Sequence, residues 1–150
     1  FYLFVAQDHP LSKRQTIKEE DLDINEIWLL NKGNCFRDQI LSICAKTKDK
    51  NLTNPINFES GNFETLKNMV LSGTGYTVLP QMAIKQLPEG QQKLVRQFAP
   101  PVPTREVSLV HMKDCVKQKI LNVLEEEILA SVPDELREIS QNGQEIVEIS

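Results

Sequence analysis

Cys35 and Cys44 are the side chains whose type and spacing point most directly to chemistry. The sequence between them, CFRDQILSIC, has apolar residues at helical spacing, and Asn34 before it is a typical N-cap residue. Cys35 is therefore expected in the first turn of a helix, where the helix dipole and nearby Arg37 favour a thiolate. Cys44 falls on the apolar face, where a thiol is inert. A thiolate is a nucleophile, so the segment predicts nucleophilic or redox chemistry at Cys35.

The predicted helix sets the geometry of this cysteine pair. Nine residues of helix separate the two Cα atoms by about 13.5 Å and point the side chains to opposite sides. A disulfide requires Cα atoms within about 7 Å, so the two residues can be joined only if the helix unfolds. The residues alone leave two interpretations open. The pair is a redox switch, or both cysteines are incidental small hydrophobic residues, because unpaired cysteine is among the most buried residue types.

Other kinds of site find little support in the sequence. There are two histidines, His9 and His111, and neither lies at ligand spacing from a cysteine, so both are interpreted as surface or packing residues and no metal is predicted. The Gly-Thr-Gly of residues 73–75 lacks the third glycine of a nucleotide loop and follows a helix. No cofactor is predicted. Cys115 has no partner at matching spacing and is interpreted as an unpaired structural or surface thiol.

Composition and charge describe an ordinary globular chain. Of 150 residues, 40% are hydrophobic and 25% charged, enough for one compact domain or two small lobes. The net charge is −4, and the end of the chain from Glu125 onward is strongly acidic. No basic stripe is present, so any contact with DNA would require a segment absent from this chain. The abrupt start on apolar strand residues suggests part of a larger protein.

The cysteine count and the apolar runs bear on location. Three cysteines without a secretory signal favour a reducing compartment, and the predicted location is the cytoplasm. No apolar run approaches the roughly 20 residues that span a bilayer, so no membrane association is predicted.

Strand and helix patterns alternate along the whole chain with short connections, which predicts an α/β fold with a mostly parallel sheet. Predicted strands are residues 1–7, 26–31, 56–58, 75–80, 94–99 and 106–112. The first predicted helix is a short one opened by a Thr16–Glu19 capping box, and the second is the cysteine helix. Two more are predicted at residues 63–72, capped by Asn62 and ended by Gly73, and at residues 81–87. The last two are residues 114–129, with Val116, Ile120, Val123 and Leu124 facing inward, and a short acidic helix after Val132–Pro133 before a mobile end. The proline-rich residues 100–104 read as a stiff connector and the best boundary between two lobes.

The cysteine segment and a downstream block carry a resemblance to a known family. GNCFRDQILSIC (33–44) resembles the redox segment of the peroxide-sensing (OxyR) branch of the LysR-type transcriptional regulators. The agreement covers Gly33, Cys35, Arg37, Asp38, Gln39 and Cys44. FETLKNMVLSGTGYTVLP (63–80) is similar to the family's helix–glycine–strand block. The resemblance runs from FYLFVAQDHPL to about the final long helix.

The resemblance implies a fold of two α/β lobes like those of periplasmic binding proteins. Residues 1–104 would be the second lobe, which carries the cysteines. Residues 105–150 would be the returning part of the first lobe and an acidic tail. The front of the first lobe and the winged helix-turn-helix domain of the family have no counterpart here, so DNA would be bound through a domain absent from this chain.

The resemblance also implies roles for the two cysteines. Cys35 matches the peroxidatic cysteine, whose thiolate is oxidised by hydrogen peroxide to a sulfenic acid. Cys44 matches the resolving cysteine, which then forms an intramolecular disulfide with it. Residues 33–44 would refold and switch the regulator's assembly on DNA.

Three further residues take supporting roles by resemblance. Arg105 matches an arginine near the peroxidatic sulfur that could support the thiolate and polarise peroxide. Asp38 is a candidate for a proton relay. Asn34 stands where the family usually has histidine. Asparagine can cap the helix and donate a hydrogen bond, but it does not take up a proton near neutral pH, so peroxide reactivity is expected to differ.

The resemblance implies a redox sensor that acts stoichiometrically and is not an enzyme. Its partners would be hydrogen peroxide, further copies of itself in a dimer or tetramer, DNA, RNA polymerase and a cellular dithiol reductant. Two alternatives stay open. One is a LysR-type domain that binds a small organic effector between its lobes, and the other is a thiol peroxidase, although the sequence lacks a Cys-x-x-Cys motif.

Overall fold

The computed structural model describes residues 1–45, 59–112, 116–137 and 143–148. The strands in this part of the chain are β1 (Tyr2–Val5), β2 (Thr16–Ile17), β3 (Leu29–Leu30), β4 (Glu59–Ser60), β5 (Tyr76–Leu79), β6 (Val95–Phe98), β7 (Val102–Thr104) and β8 (Gln144–Ile146). The helices are α1 (Cys35–Cys44), α2 (Phe63–Leu71), α3 (Gln81–Lys85), α4 (Glu89–Gln92) and α5 (Gln118–Ser131), with 3-10 turns at Pro10–Lys13, Glu19–Asp21 and Asp134–Leu136.

The largest sheet has four strands in the order β2–β6–β1–β5. β1 runs antiparallel to both β5 and β6, whereas β2 is parallel to β6, and β3–β4 and β7–β8 form separate parallel pairs. The α/β class is confirmed, and three of the five ladders between described strands are parallel as predicted. The direction of β1 differs from the prediction, which relied on its continuous apolar run; Leu3, Phe4 and Val5 are indeed fully buried. A continuous apolar run indicates burial of both faces and carries no information on strand direction.

The second long helix follows its sequence signals closely. Asn62 caps α2 by accepting a hydrogen bond from the Thr65 N–H at 2.9 Å. Leu66 and Val70 on its apolar face are buried, and Gly73 follows the helix with φ of +104°. The predicted cap, face and end of this helix are all confirmed.

The helix predicted from Thr16 is wrong. Thr16 and Ile17 form β2 instead, and a 3-10 turn follows at Glu19–Asp21. Ile17 is fully buried and pairs with Phe98 of β6. Pairing in the sheet outweighs the local capping signal at this point, because the signal contributes only about 1 kcal/mol.

The region after β6 also departs from the predictions. Residues 102–104 of the predicted connector form β7, which pairs with β8 in the end of the chain that was expected to be mobile. Pro103 is tolerated there because β7 is an edge strand, and its ladder bonds come from other residues. The strand predicted at 106–112 is wrong, since these residues have no regular secondary structure and are exposed.

The helix predicted at 114–129 is confirmed as α5, but its inward face is not. The four residues expected to face inward are all exposed: Val116, Ile120, Val123 and Leu124. The exposed fraction of Val116 is 99%. Periodicity shows which side of a helix is apolar but not what packs on it, and no described residue covers this side. The short helix expected after Val132–Pro133 is a 3-10 turn. The strand predicted at 56–58 and Cys115 lie outside the described residues.

Candidate functional site

The first turn of α1 is built by Asn34. Its Oδ1 accepts a hydrogen bond from the Phe36 N–H at 3.0 Å, and its backbone carbonyl accepts from the Arg37 N–H at 2.9 Å. Gly33 before it has φ of +85°, the left-handed conformation that glycine adopts without strain. The predicted cap is confirmed. Cys35 follows directly and is exposed at the start of the helix.

The body of α1 is held by burial of its apolar face. Phe36, Ile40, Ile43 and Cys44 are each at most 3% exposed. The Phe36 ring makes edge contacts with Phe1 and Phe63, with centroids 5.3 Å and 5.0 Å apart. These contacts fix the helix in the core directly beyond Cys35.

Arg105 lies against the first turn of α1. Its guanidinium carbon is 5.7 Å from the centroid of the Phe36 ring, a cation–π distance. Its Nε is buried and has no hydrogen-bond partner among the described residues. A donor left without a partner in a buried position has capacity for an acceptor such as a peroxide oxygen or a thiolate.

Arg37 and Asp38 take part in hydrogen bonds to backbone carbonyls in and around the helix. Arg37 Nη1 donates to the Leu30 carbonyl at 2.9 Å, which ties α1 to the end of β3. The Asp38 carbonyl accepts from Ser42 Oγ at 3.1 Å. No hydrogen bond between described residues links the Asp38 carboxylate to Cys35.

Cys44 lies in a protected environment at the other end of α1. Burial raises the pKa of its thiol to about 12, and the negative charges of Glu19 and Asp23 add to this effect. The 3-10 turn at Glu19–Asp21 packs against α1 and brings Glu19 to the helix. The thiol is therefore held protonated and shielded, as the apolar pattern predicted.

The helix keeps the two cysteines apart. α1 runs unbroken from Cys35 to Cys44, and neither is in a disulfide. Ten helical residues place their Cα atoms about 13.5 Å apart, well beyond disulfide range. The arrangement offers one accessible sulfur and one stored sulfur, which can meet only if α1 unfolds.

Gln39 is a buried polar residue of this helix whose importance the sequence prediction missed. It is 2% exposed, and its Nε2 donates to the Val147 carbonyl at 2.7 Å. Gln39 occupies position i+3 of the stripe that starts at Phe36. A polar side chain at a core position of an amphipathic helix indicates a buried polar partner, and this signal was present in the sequence.

The two histidines lie outside any cluster of metal ligands. His9 Nδ1 accepts from the Leu11 N–H at 3.2 Å, and its Nε2 lies 3.1 Å from a Glu26 carboxylate oxygen. His111 is exposed. No three His, Cys, Asp or Glu side chains in the described part of the chain group as metal ligands would. Among the helices that the structure describes, none is long and apolar enough to cross a membrane.

Comparison with known proteins gives one consistent family. A family model described as the LysR substrate binding domain matches residues 1–132. The "Hydrogen peroxide-inducible genes activator" of Dickeya chrysanthemi is 32% identical over 109 residues, 73% of this chain and 35% of that protein. The "DNA-binding transcriptional dual regulator OxyR" of Escherichia coli K12 is 30% identical with the same coverage. The chain spans about a third of the length of these curated relatives.

Solved structures agree with the sequence relatives. The crystal structure of OxyR from Porphyromonas gingivalis is 31% identical, with a TM-score of 0.83 over 98% of this chain and 66% of that one. The reduced form of the same regulator gives 0.82 at 31% identity, over 97% of this chain and 64% of that one. The predicted resemblance is confirmed: the chain belongs to the LysR-type transcriptional regulators through a LysR substrate-binding domain, and within that family it is OxyR-like.

Proposed function

We propose that this chain is a hydrogen-peroxide-sensing regulatory domain in which Cys35 and Cys44 form a reversible disulfide. The observation that carries the proposal is α1 itself, a capped helix with an exposed cysteine in its first turn and a buried cysteine in its last. Relatives named as hydrogen peroxide-inducible activators support the same assignment.

The chemistry takes two steps. The Cys35 thiolate attacks one peroxide oxygen, the O–O bond breaks, and the departing hydroxide takes up a proton to leave as water, giving a Cys35 sulfenic acid. The Cys44 sulfur then attacks the Cys35 sulfur, and a second water leaves as the disulfide forms. Peroxide gains two electrons, and each thiol loses one. A cellular dithiol then reduces the disulfide back to two thiols and is itself oxidised to a disulfide.

Three residues support the first step in this proposal. Arg105 stabilises the thiolate and polarises peroxide, because its guanidinium lies beside Phe36, the residue that follows Cys35. Asn34 holds the first turn in place and supplies an amide donor in place of a histidine. Asp38 relays a proton, and its position in the first turn puts it on the same end of the helix as Cys35.

The signal is the unfolding of α1. Bringing the two sulfurs together removes Phe36, Ile40 and Ile43 from the core, at a cost of about 1.5–3 kcal/mol for each fully buried side chain. Disulfide formation opposes this cost, since about 30 mV of redox driving force is equivalent to about 1.4 kcal/mol. Oxidation selects the unfolded conformation when its redox driving force exceeds this cost.

The output of the switch is a change in assembly. In this proposal residues 1–104 form the second lobe and residues 105–150 the returning part of the first. Refolding around α1 repositions subunits in a dimer or tetramer, which acts on DNA and RNA polymerase in the cytoplasm. The sensor reacts once per oxidation event and does not turn over as an enzyme.

The test is a titration of the reduced full-length protein with hydrogen peroxide. We expect one intramolecular disulfide per chain, a mass loss of two hydrogens, and no further consumption after one equivalent. Unmodified thiols would contradict the proposal and favour a regulator that binds a small organic effector. Continued consumption of excess peroxide with a dithiol would instead identify a thiol peroxidase.

A further inference from the structure

A buried hydrogen bond joins α1 to the C-terminal segment of the described chain. Gln39 Nε2 donates to the Val147 carbonyl at 2.7 Å, across 108 positions of sequence. Both residues are buried, Gln39 at 2% and Val147 at 8% exposed. This bond connects the segment predicted to unfold with a segment that has no part in the cysteine chemistry.

The C-terminal segment, residues 143–148, is attached to the fold through a short strand pair and the burial of Val147. β8 pairs with β7 over three residues, flanked by hydrogen bonds from the Val102 N–H to the Gly143 carbonyl and from the Val147 N–H to the Thr104 carbonyl. Val147 is the one residue of this segment that is buried. A two-stranded ladder this short is marginal by itself in water, so the segment depends on the anchorage of Val147.

Unfolding of α1 would remove that anchorage. Gln39 lies between the two cysteines, so it cannot keep its position when Cys35 and Cys44 approach each other. The Val147 carbonyl would then lie buried without its donor, and solvent would offer it a better partner. The amide Oε1 of Gln39 has no hydrogen-bond partner among the described residues, so within this part of the chain the side chain is held by its Nε2 bond to Val147.

We propose that Gln39 latches the C-terminal segment to α1, and that oxidation of the cysteine pair releases this segment from β7. The inference rests on the proposed function for the unfolding of α1. It adds a second consequence of oxidation, because release uncovers the edge of β7 and frees a strand for new contacts.

The test is hydrogen exchange of residues 143–148 in the full-length protein. In the reduced state, Gln39→Leu removes the donor and keeps a side chain of similar size. We expect exchange of this segment to rise about tenfold over wild type, as loss of one buried hydrogen bond implies. The matched control is Gln118→Leu on α5, which removes an exposed glutamine that donates to Asn122, and it should leave exchange within about twofold.

The same hydrogen-exchange measurement is then made on the oxidised proteins. Oxidised wild type should show at least the same rise, and oxidised Gln39→Leu should show no further rise. Unchanged exchange in reduced Gln39→Leu overturns the latch. A disulfide formed in wild type without faster exchange in residues 143–148 overturns it while leaving the proposed function intact, whereas failure to form the disulfide contradicts both.

The hydrogen exchange of β1 distinguishes a local effect of Gln39→Leu from a general loss of folding. Protection of Tyr2–Val5 should be unchanged in the variant, because this strand lies in the centre of the main sheet. If Gln39→Leu also loosens β1, Gln39→Asn provides the smaller change, since it keeps the amide but shortens its reach. The latch requires the same selective rise in that variant, and its absence would overturn the inference.

Discussion

The two ends of α1 each carry a cysteine, and the two side chains differ in their exposure to solvent. At the first turn Asn34 caps the helix, and Cys35 is exposed to solvent. At the last turn Cys44 is 2% exposed, and burial together with Glu19 and Asp23 raises its pKa to about 12. Position along one helix therefore decides which of the two sulfurs is accessible to solvent. In the proposed mechanism the exposed sulfur meets peroxide first, and the buried sulfur becomes available only when the helix opens.

The largest contrast is expected from removing each sulfur in turn. Cys35→Ser should leave Cys44 unoxidised by one equivalent of peroxide, because the Cys44 thiol is buried and protonated. Cys44→Ser should still react but stop at the sulfenic acid of Cys35, because the resolving thiol of the pair has been removed. Mass spectrometry after trapping with a sulfenic-acid reagent distinguishes the two. Equal labelling of both variants would mean that the two ends are not chemically different.

The packing that stores Cys44 can be weakened without touching either sulfur. Ile40 is fully buried in the core, so Ile40→Ala should lower the free energy of unfolding by about 2–5 kcal/mol. The half-buried Ser42 provides the control on the same helix, and Ser42→Ala should change stability by less than about 1 kcal/mol. Denaturant titration measures both, and similar values for the two variants would contradict the burial of α1.

The Cys44 thiol also links stability to pH. Its pKa is about 12 in the folded protein against an ordinary value of 9.0, so above pH 9 the unfolded chain releases a proton that the folded chain retains. The contribution is fully present below pH 9 and is lost as pH rises towards 12. Between pH 9.5 and 10.5 wild type should lose about 1.2 kcal/mol more than Cys44→Ala, measured by denaturant titration. Parallel curves for the two proteins over this range would show that Cys44 is not shielded.

The cap at the exposed end should give the smallest effect. Asn34→Ala removes the acceptor for the Phe36 N–H and should destabilise the protein by about 0.5–1 kcal/mol. Asn34→Asp keeps an acceptor and should lie within about 0.5 kcal/mol of wild type. Thermal unfolding at neutral pH compares the three proteins. A larger loss in Asn34→Asp than in Asn34→Ala would exclude capping as the role of this side chain.

Much of α1 could be predicted from the sequence because its determinants are local. The cap at Asn34, the first-turn position of Cys35 and the burial of Cys44 all follow from spacing within one helix, and the structure confirms them. The resemblance to the OxyR branch was also readable, because the GNCFRDQ segment and its second cysteine are contiguous in sequence.

The parts that sequence reasoning missed depend on distant partners. Ile17 belongs to a strand because Phe98 pairs with it, and β8 forms because β7 lies beside it. The Gln39–Val147 bond spans almost the whole chain. The apolar side of α5 has the same kind of periodicity as α1, yet it is exposed. Periodicity identifies an apolar face, but the partner of that face is a property of the tertiary structure.

The central claim is that the disulfide and the helix cannot coexist, and hydrogen exchange of residues 35–44 tests it most directly. The full-length protein is compared before and after one equivalent of peroxide, with β1 as an internal reference. The account predicts that the amides of α1 lose their protection when the Cys35–Cys44 disulfide forms, while Tyr2–Val5 stays protected. A disulfide between these residues with α1 still protected would contradict it.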